Sequence, residues 1–189
     1  VLFFRYLFAL PILAFMLKWR GHSFRISRAD LVPLVILGLI FALSSLSLFL
    51  SYNYMDAGIA STLLFVYPIL VALIMSIFFK EKLQLSTMAC ILAALLGISL
   101  LYETADGTTL NTIVVLYVVA SSLSYAIYIF GINQTRLHDE PTLSITLYII
   151  IVGFLLFSLM LLFTGKLQLP SKWWLWGNLI ALGLFPTVI

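Results

Sequence analysis

The feature that most constrains this chain is a set of long apolar stretches with no charged residue deep inside any of them. Seven such stretches cover residues 3–17, 31–55, 57–79, 85–102, 110–132, 143–163 and 173–189. About 20 apolar residues cross the hydrocarbon core of a bilayer, and a charge at its centre costs about 2.5 to 3.5 kcal/mol. Backbone groups in lipid must be paired within their own segment, and the alternation of barrel strands is absent. The sequence therefore predicts an all-α membrane protein, a polytopic bundle of about seven transmembrane helices.

Composition excludes several other classes of protein. Only 9% of the 189 residues are charged and the formal net charge is +3, which suits neither a water-soluble domain nor a nucleic-acid-binding protein. Cys90 is the single cysteine, and His22 and His138 lie in predicted loops without metal-ligand spacing. Embedded catalysis would require titratable groups deep in the stretches. We therefore expect no enzyme activity, no metal and no cofactor.

Lysine and arginine fall mostly in the loops on one side of the predicted helices. Seven of the ten follow the first, third and fifth stretches: Lys18, Arg20, Arg25, Arg28, Lys80, Lys82 and Arg136. The other three, Arg5, Lys166 and Lys172, belong to the opposite side. The positive-inside rule makes the first set cytoplasmic and places the start of the chain outside.

A weak internal repeat links the two ends of the chain. Leu-Gly-Leu occurs at residues 37–39 and again at 182–184, an offset of 145 residues. The sixth stretch would then repeat the first after five helices, and an odd number of helices inverts a duplicated unit. We expect inverted repeats in residues 1–104 and 105–189. Because the first residue is Val1 and the last stretch has only about 17 residues, we also expect an internal piece of a longer protein.

The segment from Asp56 to Tyr102 carries a recognisable pattern. Small residues open a helix, a proline lies within it, a glutamate follows its end, and a leucine and a glycine-bearing helix come next: Ala57, Ala60, Ser61, Pro68, Glu81, Leu83 and Gly97. This pattern resembles the EamA-like members of the drug/metabolite transporter superfamily. The first stretch, with Arg5, Tyr6 and Ala9, is also similar to the family's second helix.

The resemblance implies ten helices in two inverted five-helix repeats, of which this chain supplies the second through most of the eighth. Residues 1–104 would form most of the first EamA-like repeat and residues 105–189 the start of the second. It further implies transport of an amino acid, metabolite or amphipathic drug across the bacterial inner membrane. The expected partners are the lipid bilayer, a small-molecule substrate and a second copy in a homodimer, with no nucleic acid.

Two stripes of polar residues are candidates for the lining of a solute pathway. The fifth stretch carries one at spacings of four, three and four: Tyr117, Ser121, Ser124 and Tyr128. The second stretch carries the other at spacings of three, four and three: Ser44, Ser47, Ser51 and Tyr54. Each spacing places its residues on one helix face. The alternative interpretation is interhelical hydrogen bonding, worth about 0.6 kcal/mol per pair, which needs no solute.

Pro68 lies inside the third stretch and has no N–H for the carbonyl of Leu64, four residues earlier. It predicts either a plain kink or a free polar group beside the pathway, and we expect it to act as a hinge.

Small residues at Ala89, Ala93 and Gly97 step by four along the fourth stretch. They predict a smooth ridge for close packing of a helix, from this chain or from a second subunit. Glu81, between Lys80 and Lys82 at the membrane edge, is predicted to be a structural anchor, because a coupling carboxylate normally lies deeper.

Two other functional classes stay open on the sequence alone. A seven-helix receptor matches the helix count, but an inverted five-helix period has no role in a receptor. A membrane enzyme or lipid-modifying protein would need embedded catalytic groups, which the stretches lack.

Overall fold

The computed structural model describes most of the chain, and every regular element within the described part is a helix. The described residues are 1–21, 28–64, 66–79, 88–89, 92–93, 96–97, 112–164, 176–179, 181 and 183. Glu81, most of the fourth predicted stretch and most of the seventh lie outside this set.

The helices follow the apolar stretches closely. In chain order they are α1 (Leu2–Trp19), α2 (Arg28–Ser51), α3 (Ala57–Leu64), α4 (Tyr67–Phe79), α5 (Thr112–Gln134), a short 3-10 helix (Arg136–Asp139) and α6 (Thr142–Thr164). Continuous runs of apolar residues without a central charge favour helices of this length in lipid, because every backbone group is then paired internally.

Among the described residues, five segments are long and apolar enough to cross a membrane: Leu2–Trp19, Asp30–Ser51, Gly58–Ser76, Val115–Gln134 and Thr142–Phe163. They correspond to the first, second, third, fifth and sixth predicted stretches, and the third of them combines α3 and α4. The all-α membrane fold is thereby confirmed. A total of seven helices and a ten-helix inverted repeat stay predictions, since the remaining two stretches lie largely outside the described residues.

The second predicted stretch extends four residues beyond the end of the helix that it forms. α2 ends at Ser51, and turns follow, in which the Tyr54 N–H donates to Ser51 O at 3.0 Å. Asp56 then caps α3, because its Oδ1 accepts the Gly58 N–H at 2.7 Å. A carboxylate before a helix satisfies a backbone donor that the helix itself leaves free. This local capping preference outweighs the apolar pattern between residues 52 and 55.

The described chain divides into two compact units. Unit 1 comprises residues 1–42 and 132–189, and unit 2 comprises residues 43–131. The division falls inside α2 and close to the end of α5. Each unit contains helices from both sides of residue 104, so these compact units differ from the predicted sequence repeats, which stay a prediction.

In unit 1, α1 packs on α6 through a glycine and a set of rings. One face of α1 is buried at spacings of four, three, four and four: Leu2, Tyr6, Ala9, Leu13 and Leu17. A Cβ atom built on Gly153 of α6 would lie 2.8 Å from Tyr6 Cε1, so only glycine fits there. The Tyr6 ring also contacts Phe157, with ring centroids 5.3 Å apart.

Two more glycines mark close contacts within unit 1. A Cβ on Gly38 of α2 would lie 2.9 Å from Val152 Cβ of α6. A Cβ on Gly183 would lie 3.1 Å from both Arg5 O and Phe8 Cβ of α1. Small residues at such crossings let helix backbones approach closely, which is how helices gain packing energy in lipid.

Candidate functional site

Unit 2 brings one serine from each predicted polar stripe into direct contact. Ser44 Oγ on α2 donates to Ser121 O on α5 at 2.9 Å, and Ser121 Oγ donates to Ser44 O at 2.8 Å. The two Oγ atoms are 3.1 Å apart, and both side chains are buried. Each hydroxyl uses its single proton on the backbone of the other helix. This contact is an interhelical hydrogen bond of the kind that the sequence left open.

The other members of the stripes have different surroundings. Ser51 is buried, and its Oγ donates to Leu48 O within α2 at 2.6 Å. Tyr54 is 69% exposed and follows the end of α2, so the single-face argument does not extend to it. Four residues are half-buried: Ser47, Tyr117, Ser124 and Tyr128. Their role in lining a pathway is a prediction that these contacts do not test.

The third predicted stretch is interrupted near its middle. α3 ends at Leu64 and α4 begins at Tyr67. Pro68 therefore lies in the first turn of a new helix, where its missing N–H is tolerated, rather than inside a continuous helix.

Hydrogen bonds at the interruption have the tighter spacing of a 3-10 turn. The Val66 N–H donates to Leu63 O, three residues earlier, at 3.1 Å. Val66 O accepts the N–H groups of Ile69 at 3.0 Å and Leu70 at 3.2 Å, so two donors in the first turn of α4 are paired. A short 3-10 segment within a helix often marks a hinge.

The carbonyl that Pro68 deprives of a helical partner meets a hydroxyl of α5. Ser122 Oγ lies 3.4 Å from Leu64 O and donates at 2.9 Å to Val118 O in its own helix. Since a hydroxyl has one proton, the shorter bond takes it and the contact with Leu64 O is weak. Sequence reasoning missed Ser122; the available signal was the free carbonyl itself, which calls for a polar neighbour.

Three tyrosine rings on α4 and α5 contact one another. The rings of Tyr67 on α4 and Tyr125 on α5 meet edge to face, with centroids 4.7 Å apart. The Tyr125 ring also contacts Tyr128, at 5.6 Å between centroids. All three side chains are half-buried. Tyr128 is a predicted pathway residue, whereas Tyr67 and Tyr125 belong to neither predicted stripe.

The family model for the EamA-like transporter family matches residues 1–103, which is more than half of the chain. The chain belongs to the EamA-like transporter family. Matches with curated proteins and with solved structures were absent. EamA-like proteins are transporters, which favours transport over the receptor and enzyme alternatives. Together with the apolar helices, the family match shows an integral, multi-pass membrane protein.

In this EamA-like chain the candidate site combines residues inside the matched region with residues of α5, which lies beyond it. Ser44, Leu64, Tyr67 and Pro68 lie inside residues 1–103, and the contacting residues of α5 lie outside. Among the described residues, no group of three His, Cys, Asp or Glu side chains could hold a metal ion.

The small-residue ridge has a different environment from the glycines of unit 1. Ala89, Ala93 and Gly97 are helical and exposed, and a Cβ on Gly97 meets no described atom within 4 Å. Whether this ridge packs on a second subunit stays a prediction. Glu81, the predicted anchor, lies outside the described residues.

Proposed function

We propose that this EamA-like protein moves a small organic solute across the plasma membrane by alternating access, and that unit 2 contributes part of the solute pathway. The observation that carries the proposal is the half-buried ring pair of Tyr67 and Tyr125 beside an interrupted helix, in a member of a transporter family. Tyrosine offers both a stacking face and a hydroxyl. Interrupted helices are a common way for transporters to expose backbone groups to a substrate.

The pathway is proposed to include the predicted polar stripes together with the two newly found rings. Its residues are Ser44, Ser47, Ser51, Tyr54, Pro68, Tyr117, Ser121, Ser124 and Tyr128, with Tyr67 and Tyr125 added. Pro68 is exposed and lies at the 3-10 turn, which supports the hinge role proposed for it. Hydrogen bonding and ring stacking, rather than a fixed charge, would then select the solute.

A pair of glycine contacts supports the proposed inverted repeats. Gly38 and Gly183 are separated by the 145-residue offset of the repeat. Gly38 packs against Val152, and the position equivalent to Val152 is 152 − 145 = 7. Gly183 packs against residues 5, 8 and 9, which surround that position. Gly38 of the first proposed repeat thus contacts α6 of the second, and Gly183 of the second contacts α1 of the first. A two-fold relation between the repeats requires such a reciprocal pair of contacts.

Transport is tested with the full-length protein in liposomes, screened for uptake of labelled amino acids, metabolites and amphipathic drugs. Once a solute is found, Tyr125→Ala should reduce its uptake by about tenfold, because one aromatic contact of about 1 kcal/mol and its ring surface are lost. Tyr125→Phe retains the ring and should stay within about threefold of the parent. Absence of flux for every solute class would refute the proposal.

The threading of the chain is tested by cysteine labelling in intact cells, with Cys90→Ala as the background. Single cysteines at Arg20 and Lys172 should react from opposite faces of the membrane. Labelling of both from the same face would contradict the inverted repeats and the alternating access built on them.

A further inference from the structure

The last turn of α1 exposes a stacked pair of aromatic rings. Phe15 is 68% exposed and Trp19 is 82% exposed, and their ring centroids are 6.4 Å apart with 29° between the ring planes. Both lie on the opposite side of α1 from Leu13 and Leu17, which are buried. Phe15 is one turn nearer the middle of the membrane segment. The pair therefore extends from the hydrocarbon region to the level of the lipid headgroups, where tryptophan rings are favoured.

Two cations flank the exposed tryptophan. Lys18 precedes Trp19 and Arg20 follows it, so each lies about 100° from the tryptophan around the helix axis. Both are exposed, and their long side chains can converge in front of the indole ring. The ammonium, the guanidinium and the indole N–H all donate hydrogen bonds and accept none. Such a set of donors suits a phosphate group.

The backbone holds these residues at the end of the helix. The Arg20 N–H donates to Met16 O at 3.0 Å, and the Gly21 N–H donates to Lys18 O at 3.1 Å. Gly21 has a φ of 71°, the left-handed conformation that commonly ends a helix. The negative end of the helix dipole at this point amounts to about half a charge. The two full positive charges of Lys18 and Arg20 outweigh it.

Acidic residues of unit 1 do not reverse the sign of the charge at this surface. Those that the structure describes are Asp30 in the first turn of α2, Asp139 in the 3-10 helix and Glu140 before α6, and none of them belongs to α1. Arg28 lies in the same turn as Asp30, and Arg136 lies in the same short helix as Asp139, so two of the three negative charges are offset. The end of α1 therefore keeps an excess of positive charge.

We propose that the exposed end of α1, formed by Phe15, Lys18, Trp19 and Arg20, is a docking surface for an acidic phospholipid such as phosphatidylglycerol. The lipid phosphate accepts hydrogen bonds from both cations and from the indole N–H, while an acyl chain packs along the Phe15 ring. Charge complementarity selects the acidic lipid, because the ammonium group of a zwitterionic headgroup is repelled by both cations. This surface is separate from the proposed solute pathway and does not depend on it.

The test measures quenching of Trp19 fluorescence by brominated lipids, with the full-length protein in vesicles. The Trp19 signal is the difference between the parent protein and Trp19→Phe. Brominated phosphatidylglycerol is compared with brominated phosphatidylcholine of the same acyl chains. Each cation near an acidic headgroup adds about fivefold in affinity, equivalent to about 1 kcal/mol, so phosphatidylglycerol should be preferred by about 25-fold. Equal quenching by the two lipids would overturn the inference. Protection from both lipids would also overturn it, because another helix or a second copy would then cover the ring.

Variants of single cations show whether the preference belongs to this surface. Lys18→Gln and Arg20→Gln should each lower it about fivefold. The matched control is Arg136→Gln, which removes another exposed cation of unit 1 and should leave the preference unchanged. An equal loss in all three variants would assign the preference to the overall charge of the protein and refute the docking surface.

Inorganic phosphate separates a lipid from a free anion. At millimolar concentration it should leave the quenching unchanged, because it has no acyl chain to pack on Phe15. Displacement of the brominated lipid by inorganic phosphate, but not by chloride at the same ionic strength, would assign the surface to a free anion and refute the docking of a phospholipid.

Discussion

The two compact units hold their helices together by different chemistry. In unit 1 the crossings are made by glycines and rings: Gly153 against Tyr6 and Gly38 against Val152. In unit 2 the serine hydroxyls of Ser44 and Ser121 bond to backbone carbonyls across two helices, in addition to the ring contact of Tyr67 with Tyr125. The hydrophobic effect does not drive helices together within lipid, so close packing and polar contacts are what stabilise helix association there.

This difference indicates where the molecule can change shape. A close-packed crossing loses contact energy with any displacement, because van der Waals attraction falls off within an ångström. Hydroxyl bonds to carbonyls can be exchanged for bonds to a solute or to water at small cost. Unit 2 also contains the interrupted helix, and this is why the proposed solute pathway is assigned to it.

The largest expected effect comes from filling the glycine contacts of unit 1. Gly153→Ala places a Cβ 2.8 Å from a buried tyrosine ring, and Gly38→Ala places one 2.9 Å from Val152 Cβ. Overpacking of this kind typically costs about 1 to 3 kcal/mol. Both variants should lower the midpoint of thermal unfolding, measured by size-exclusion chromatography after heating.

The control for these variants is Gly97→Ala, because a Cβ there meets no described atom within 4 Å. It should leave the midpoint unchanged. If all three alanines behave alike, the contrast between packed and open glycines is wrong.

A smaller effect, of opposite sign, is expected at Ser144 of α6 in unit 1. Its side chain is buried, and its Oγ has no hydrogen-bond partner among the described residues. A buried hydroxyl without a partner costs about 1 kcal/mol or more. Ser144→Ala should therefore raise the unfolding midpoint in the same assay. A lowered midpoint would indicate that a polar group or water satisfies Ser144.

The smallest effects are expected at the serine pair of unit 2. Ser44→Ala and Ser121→Ala should each destabilise by about 0.6 kcal/mol, the average for such bonds in membranes. Because the two residues exchange hydrogen bonds and their Oγ atoms lie 3.1 Å apart, the double variant should lose less than the sum of the two single losses. A double-variant loss equal to the sum would show instead that the two hydroxyls act independently.

The sequence predicted the type and position of the helices better than it predicted which helices pack against one another. Absence of central charge placed five membrane segments, and the structure brings Ser44 and Ser121, one from each predicted stripe, into contact. Periodicity encodes which face of a helix a residue occupies, but it carries no information about which helix lies opposite. The pairing of these two serines was therefore visible only in the structure.

Local backbone chemistry accounts for the other differences. Pro68 indicated that Leu64 O has no helical N–H partner, because proline lacks the N–H. A proline can either kink a helix or lie at the start of a new one. The 3-10 turn at Val66 shows that Pro68 lies at the start of a new helix, α4. The edge-to-face contact of Tyr67 with Tyr125 joins residues 58 positions apart, in segments whose approach depends on the whole bundle.

The length of α3 sets the depth in the bilayer of the break between α3 and α4. Eight helical residues rise about 12 Å, and the thirteen residues of α4 rise about 20 Å. In a hydrocarbon core of about 30 Å, Leu64 and Tyr67 then lie near the midplane of the bilayer. A molecule held there would have comparable distances to travel to the cytoplasm and to the exterior, so a modest tilt of the surrounding helices would suffice to open either route.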